Sequence, residues 1–225
     1  QALRFCNVRH YAVCDALAHL TLSDVGEAAG QRDRVLSDRE LADLWRFGKE
    51  EHGDIYFSRL IKLLILFGAR TAELRRSRWS EWDFVSWEWT VPRGNSKNSK
   101  KIVRPIPVAI RGWLKDLKGK TGDTGLLLGE ERTHTAVSLK GRRMYKMFGH
   151  NEKWTLHDLR RTFSTGLNNM GVMPHIVESL LGHVYNAGSA EFNYNLSQYI
   201  PFKLQALNDW FKRLELLDKQ NIKQD

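Results

Sequence analysis

Residues 87–108 read WEWTVPRGNSKNSKKIVRPIPV, and they carry a change of period within an otherwise helical pattern. Trp87, Trp89 and Val91 alternate with polar or smaller residues, which is the two-residue repeat of a strand. Ile102 to Val108 form a second such run. Between the two lies RGNSKNSKK, residues 93–101, a loop of turn formers and cations, so the stretch reads as a β-hairpin with a basic tip. On its N-terminal side the signals are helical. Ser37 and Glu40 fit a Ser-x-x-Glu capping box, followed by Leu41, Leu44 and Trp45 on one face. A helix over about 55–67 places Leu60, Leu63, Leu64 and Phe67 at i, i+3, i+4, i+7, and Gly68 stops it. A short helix follows Arg70. Beyond the hairpin, helices are expected at about 109–117, 137–148, 155–170, 174–181 and 202–217. The expected fold class is therefore mainly α with a small antiparallel β-sheet, an α+β arrangement.

The chain has 225 residues, enough for one full domain and a fragment of a second. Hydrophobic residues make up 42%, with eight Trp and ten Phe that need burial, so disorder is excluded as the main state. The longest apolar run is Leu63 to Phe67, far short of the roughly 18 residues a membrane-spanning helix needs. Lys and Arg number 35 against 26 Asp and Glu, and 35 − 26 gives a net charge of +9, which favours a polyanionic partner such as nucleic acid. Residues 1–24 carry apolar positions at helical spacing, whereas GEAAGQRDR at 26–34 is small, polar and aperiodic, as a linker is. This gives an expected division into 1–31 and 32–225. The first helix reads as the remnant of a preceding domain or as an ordinary N-terminal helix of the same one. The chain opens at Gln1 rather than Met, as expected for a piece of a longer protein. Cys6 and Cys14 suit neither a zinc knuckle nor a disulfide framework and are expected to be reduced core thiols.

Three short motifs carry chemistry. In TLHDLRR, residues 155–161, Thr155 can cap a helix with Asp158 completing the pair, and His157 and Arg160 fall on one face a turn apart. An arginine fork beside an imidazole suits a phosphate, with the histidine able to donate or exchange a proton. Gly182 ends the helix that Pro174 opens, so His183 projects from a defined corner. Arg70 sits at a glycine-led turn with Glu73 three residues on. Read singly, each motif is equally compatible with ordinary surface or structural residues.

Their order is more specific. Gly-x-Arg-x-x-Glu-Leu, a basic hairpin, His-x-x-Arg, Leu-Gly-His and then a tyrosine follow one another between residues 68 and 194. GARTAELRRSRWSEWD at 68–83 resembles the first signature box of the tyrosine recombinases, the phage-integrase family, and LHDLRRTFSTGL and SLLGH resemble the second. The resemblance covers roughly residues 32–217 and implies the catalytic-domain fold of that family, with residues 1–31 as the end of its core-binding domain plus linker. It implies a site-specific recombinase that cuts and rejoins DNA through a 3′-phosphotyrosine, for integration or excision of a mobile element. Type IB topoisomerase-like DNA relaxation, or DNA binding without catalysis, are the rival readings.

Residue by residue, the resemblance implies that Arg70 and Arg160 clamp the scissile phosphate, and that His157 bonds it and manages the nucleophile's proton. His183 supports the phosphate or leaving group, and Glu73 buttresses the cluster. A hairpin lysine acts as general acid. The family's usual spacing falls on Ser99, so the lysine is Lys97 with a longer turn or Lys100 with a shorter one; Lys97 is preferred. The nucleophile is sought among Tyr185, Tyr194 and Tyr199. Tyr194, eleven residues after His183, is near the family's usual spacing and opens YNLSQY, which resembles the family's local pattern around the nucleophile, so Tyr194 is chosen.

The chemistry is consistent on physical grounds. A phenol with pKa near 10 needs concentrated positive charge and a proton acceptor to act as a nucleophile. Two arginines and a lysine supply what a metal otherwise would, so no metal and no cofactor are expected. Arg75, Arg76, Arg78, Lys100, Lys101 and Arg104 lie near these motifs and are expected to contact backbone phosphates. The implied partners are double-stranded DNA at attachment sites and further recombinase protomers, as a tetramer on DNA, without a membrane. The implied location is the bacterial cytoplasm, on the nucleoid when DNA is bound. The last helix carries Leu204, Leu207, Trp210, Phe211, Leu214 and Leu217 on one stripe, to be buried either on its own domain or on a neighbouring protomer.

Overall fold

A computed structural model describes residues 5–6, 8–11, 33–51, 53–183 and 199–221 of the chain. The chain divides into two units, Gln1–Asp33 and Arg34–Asp225. In the first, Phe5, Cys6 and Val8 are helical, with the Arg9 guanidinium 5.1 Å from the Phe5 ring. Cys6 is a free, half-buried thiol rather than a core residue, and Cys14 lies outside the described residues. Most of the apolar stripe expected over 1–24 lies outside them as well.

The second unit opens with helix α1 (Asp38–Glu50), and both halves of the expected capping box are present. The Ser37 amide donates to Glu40 Oε2 at 2.8 Å, and the Glu40 amide donates to Ser37 Oγ at 3.3 Å. Helix α2 (Ile55–Phe67) is apolar nearly all round and is buried from Tyr56 to Phe67. Such a helix belongs at the centre of a core, and α2 packs against α1 and three later helices. It ends at Gly68, where φ is +56° and an added Cβ would lie 2.2 Å from the Phe163 ring. Only glycine meets both conditions without strain.

Helix α3 (Thr71–Arg75) and a 3₁₀ turn at Trp79–Glu81 lead into an antiparallel sheet of β1 (Trp82–Asp83), β2 (Glu88–Val91) and β3 (Ile102–Pro105), in the order β1-β2-β3. Trp82 pairs with Trp89 and Trp89 with Arg104; the two indoles stack at 4.9 Å, with Phe67 set edge-on to both. The sequence missed β1, because two residues show no alternation and only their pairing makes them a strand. It also carried the third strand to Val108. The ladder stops at Pro105, and Pro107 precedes a 3₁₀ turn over Val108–Ile110.

Four further helices follow the sheet. These are α4 (Arg111–Thr121), α5 (His134–Met147), α6 (Leu156–Asn169) and α7 (Pro174–Leu181). Helix α5 starts three residues before the expected 137, because Thr133 caps it by accepting from the Ala136 amide. The last helix, α8 (Ile200–Asn221), packs its stripe on its own unit. Ala206, Leu207, Trp210 and Leu214 are buried, and Leu204, Phe211 and Leu217 are half-buried. Trp210 Nε1 donates to the Ile65 carbonyl at 2.9 Å, and its ring packs against Gly166, where an added Cβ would lie 2.4 Å from it. Trp45 Nε1 reaches Glu215, while Arg46 and Lys49 pair with Asp218. The stripe is thus buried on its own unit, where each large apolar side chain is worth about 1.5–3 kcal/mol.

Candidate active site

Glycine-ended helices put the site's residues in place. Gly68 turns the chain out of α2 so that Arg70 falls at the start of α3, and Gly182, with φ of +69°, does the same for His183 after α7. Arg160 comes from the second turn of α6, whose start is locked by Thr155. Both the amide and hydroxyl of Thr155 donate to Asp158 Oδ2 at 2.8 Å.

Glu73 is the hub. It is 0% exposed; Oε1 accepts from Arg70 Nη1 at 3.0 Å, and Oε2 accepts from Arg104 Nη2 at 2.8 Å and the Arg70 amide at 3.3 Å. Burial pushes its carboxyl up, but the charges of Arg104 and Arg160 and the bonds from Arg70 and Arg104 outweigh that and hold its pKa below the ordinary value. Arg160, 4% exposed, donates to the Gly68 carbonyl at 2.8 Å and, through Nη2, to the Leu181 carbonyl at 2.6 Å. Nη2 also lies 2.9 Å from His183 Nε2. A guanidinium has only donors, so His183 Nε2 is the acceptor. His183 Nδ1 then carries the proton and donates to Glu178 Oε2 at 2.6 Å. Glu178 thereby fixes the histidine's tautomer, a role that sequence reading missed because a lone glutamate inside a helix sends no signal.

The cluster holds more positive charge than it neutralises. Burial, then the charges of Arg70 and Arg104, drive the Arg160 pKa down to about 9 even though Glu73 and Glu178 oppose them. His157 is shifted down as well, first by burial and then by Arg160 and Arg161, so its imidazole is neutral at pH 7. A site in this state gains from any anion placed in it.

Arg70, His157 and Lys97 line one open cleft of about 560 Å³, and the buried Arg160 is bonded to the Gly68 carbonyl, next to the lining residue Ala69. Three of the sequence-derived site residues therefore share the cleft, and Arg160 adjoins them at Gly68 and holds His183. Lys100 and Lys101 are exposed on the same loop as Lys97. The other side of the cleft carries His134, Ser138 and Arg142, one face of α5 at i, i+4, i+8. This face escaped the sequence reading, which began that helix at 137. Tyr185 and Tyr194 lie outside the described residues. Tyr199 is half-buried, with its ring 5.1 Å from that of His175, as a packing residue before α8 would be.

Two of the expected phosphate contacts are corrected. Arg75 is 6% exposed and donates to Glu131 at 2.9 Å and to the Arg132 carbonyl at 2.6 Å. Arg104 is 0% exposed; it bonds Glu73 and the Leu180 carbonyl and lies 4.8 Å from the Trp89 ring. Both cations are buried and bonded within the fold rather than presented on the surface. Arg76 and Arg78 are exposed.

Residues 34–196 match the profile of the phage integrase family. Among curated proteins, the prophage integrase IntA of Escherichia coli K12 is 25% identical over 155 residues, covering 68% of this chain and 37% of its own length. The tyrosine recombinase XerA of Pyrococcus furiosus is 31% identical over 132 residues, covering 56% of this chain and 46% of that protein. The chain thus spans less than half the length of these relatives. Among solved structures, a lambda integrase dimer bound to a COC′ core site superposes with a TM-score of 0.62 at 20% identity, over 85% of this chain and 55% of that one. The Tn1549 transposon integrase in complex with circular intermediate DNA gives 0.56 at 17% identity, over 85% and 70%. At these identities the structural likeness establishes the fold, that of the tyrosine recombinase catalytic domain.

Proposed function

Since the chain belongs to the phage integrase family, we propose that its second unit is the catalytic domain of a site-specific DNA recombinase that integrates or excises a mobile element. The observation that carries this reading is the convergence of Arg70, Lys97 and His157 on one cleft, with Arg160 bonded to the Gly68 carbonyl beside it. Tyr194 is the nucleophile. Its Oη attacks the scissile phosphorus and forms the phosphotyrosine bond as the P–O5′ bond breaks. Neutral His157 takes the phenolic proton, and Lys97 gives a proton to the departing 5′ oxygen. Arg70 and Arg160 spread the charge that develops on the non-bridging oxygens. In the second half-reaction a 5′-hydroxyl from a partner strand attacks the same phosphorus. Its proton returns to Lys97, and Tyr194 leaves with the proton held by His157. The phosphotyrosine ester conserves the bond, so rejoining needs no nucleotide. Lys97 is favoured over Lys100 because it is the hairpin lysine that lines the cleft with Arg70 and His157.

The remaining assignments complete this reading. Arg76, Arg78, Lys100 and Lys101 track backbone phosphates, double-stranded attachment sites are the substrate, and four protomers act together on them. The first unit is the end of a core-binding domain. The place of action is the bacterial cytoplasm, on nucleoid DNA.

A suicide DNA substrate carrying the element's own crossover site tests the function. The native chain forms a covalent adduct at the 3′ side of the nick, and Tyr194→Phe forms none. An adduct that persists in Tyr194→Phe moves the nucleophile elsewhere, and a native chain that binds DNA without any adduct leaves a binding module. Strand exchange between two duplexes distinguishes a recombinase from a relaxing enzyme.

A further inference from the structure

Two lysines among the described residues are buried, Lys62 and Lys203, and the reaction above uses neither. Lys62 lies 4.0 Å from the Trp113 ring, an aromatic face that accounts for it. Lys203 is different. It stands in the first turn of α8, nine residues after Tyr194, and is 3% exposed. A buried ammonium ordinarily pairs with a carboxylate. Here Nζ instead donates to the main-chain carbonyl of Val103 in β3, at 2.9 Å. Burial and then the Arg104 charge from the same strand lower its pKa to about 8, with Glu88 of β2 opposing.

Three successive residues of β3 are thus held from outside the sheet. Ile102 packs on Gly182, where a Cβ would come within 2.2 Å of its Cδ1. Val103 accepts from Lys203, and Arg104 bonds Glu73 and the Leu180 carbonyl. The hairpin loop that bears Lys97 ends where this strand begins, and two of its asparagines tie it back, Asn95 Nδ2 to Glu81 Oε1 at 3.2 Å and Asn98 Nδ2 to the Gly182 carbonyl at 3.4 Å.

We propose that Lys203 is a positioning residue which, by holding the Val103 carbonyl, fixes the Lys97 hairpin to α8 and so keeps the proton donor in its place at the cleft. This rests on the roles given to Lys97 and Tyr194 above. An acid displaced by about an ångström loses much of its effect, and general-acid catalysis is worth roughly 10²–10⁴ in rate. Without the tie, cleavage should therefore suffer in the step that Lys97 serves.

The test compares two suicide duplexes, one with the natural 5′ oxygen at the scissile bond and one with a bridging 5′ sulfur. A thiolate, whose conjugate acid has a pKa near 8.5, leaves without a proton donor, whereas an alkoxide does not. Lys203→Met keeps the length and apolar stem of the side chain and removes the donor. It is expected to form adduct about tenfold or more slowly on the oxygen substrate, and to react within about twofold of the native chain on the sulfur substrate, at unchanged DNA affinity. Equal slowing on both substrates, which a loosened fold would produce, overturns the proposal, and so does no slowing on either. Should Lys203→Met fail to fold, Lys203→Arg keeps a donor and carries the same pair of substrates. Rates near native on both, or a loss confined to the oxygen substrate, support the positioning role, and equal loss on both overturns it. If the native chain forms no adduct on either substrate, the functional reading fails instead.

Discussion

Replacing Glu73 by glutamine takes one negative charge out of a buried cluster while leaving its volume in place. Arg104, like Glu73, has no exposed surface, and Glu73 is the carboxylate bonded to it. In the variant a fully buried guanidinium is left without its counter-charge. Removing one partner of a buried pair costs about 3–5 kcal/mol. The glutamine carbonyl still accepts one of the arginine bonds, whereas its amide group faces a second donor, so the lower end, about 3 kcal/mol, is expected. For a folded unit spanning residues 34–225, each kcal/mol moves Tm by roughly 2–4 °C, giving a fall of roughly 6–12 °C. Urea unfolding followed by tryptophan fluorescence at pH 7, together with thermal melts, measures both. The double variant Glu73→Gln with Arg104→Met should recover much of the loss, because uncharged groups in both places carry no unpaired charge. The pH dependence has a definite sign. The folded pKa of Glu73 lies below its ordinary value, so its stabilisation is complete above the unfolded value near 4.3 and is lost as pH falls through the folded pKa. The gap between native and Glu73→Gln stability should therefore be flat from pH 7 to about 5 and close below about 4. A variant within about 1 kcal/mol of native at pH 7, or a double variant worse than the single one, refutes the account of a charge hub.

Three further outcomes are expected. Arg70→Ala should bind DNA nearly as the native chain does and lose roughly 10³–10⁵ in cleavage rate, in single-turnover assays with the suicide substrate; near-native cleavage removes Arg70 from the clamp. Alanine at Arg76, Arg78, Lys100 or Lys101 should each lower the slope of log affinity against log salt by roughly 0.9, whereas Arg75→Ala should leave it unchanged because that guanidinium is occupied within the fold. A slope change for Arg75→Ala equal to that for Arg76→Ala reverses the correction. Burial and then the neighbouring arginines hold the His157 pKa below 6.5, so a step that needs its neutral form persists into mild acid. The acid limb of kcat/KM should fall below pH 6.5 and disappear in His157→Gln, and a limb centred above 6.5 contradicts the assignment.

The residues that announced themselves in the sequence are those whose structural reason is local. A capping box joins residues three apart, so Ser37 with Glu40 and Thr155 with Asp158 marked helix starts that the structure reproduces. Pro174 and Gly182 bounded α7 for the same reason, and Gly68 ended α2. His157 and Arg160 share a helix face by spacing alone. Strand β1 was invisible because only its partner Trp89 makes Trp82 part of a sheet. Charge was harder to read still. A run such as Arg75, Arg76, Arg78 looks uniformly available to DNA, since spacing carries no information about partners more than fifty residues away. The tertiary structure turns Arg75 onto Glu131 and Arg132, Arg104 onto Glu73 and Leu180, and Lys203 onto Val103, where desolvation makes a buried partner obligatory. Sequence thus determined the helices, the hairpin and the local motifs proposed to carry phosphate chemistry. Only the packing of distant segments decided which cations face the cleft and which hold it together, because that choice depends on what each charge meets once water is gone.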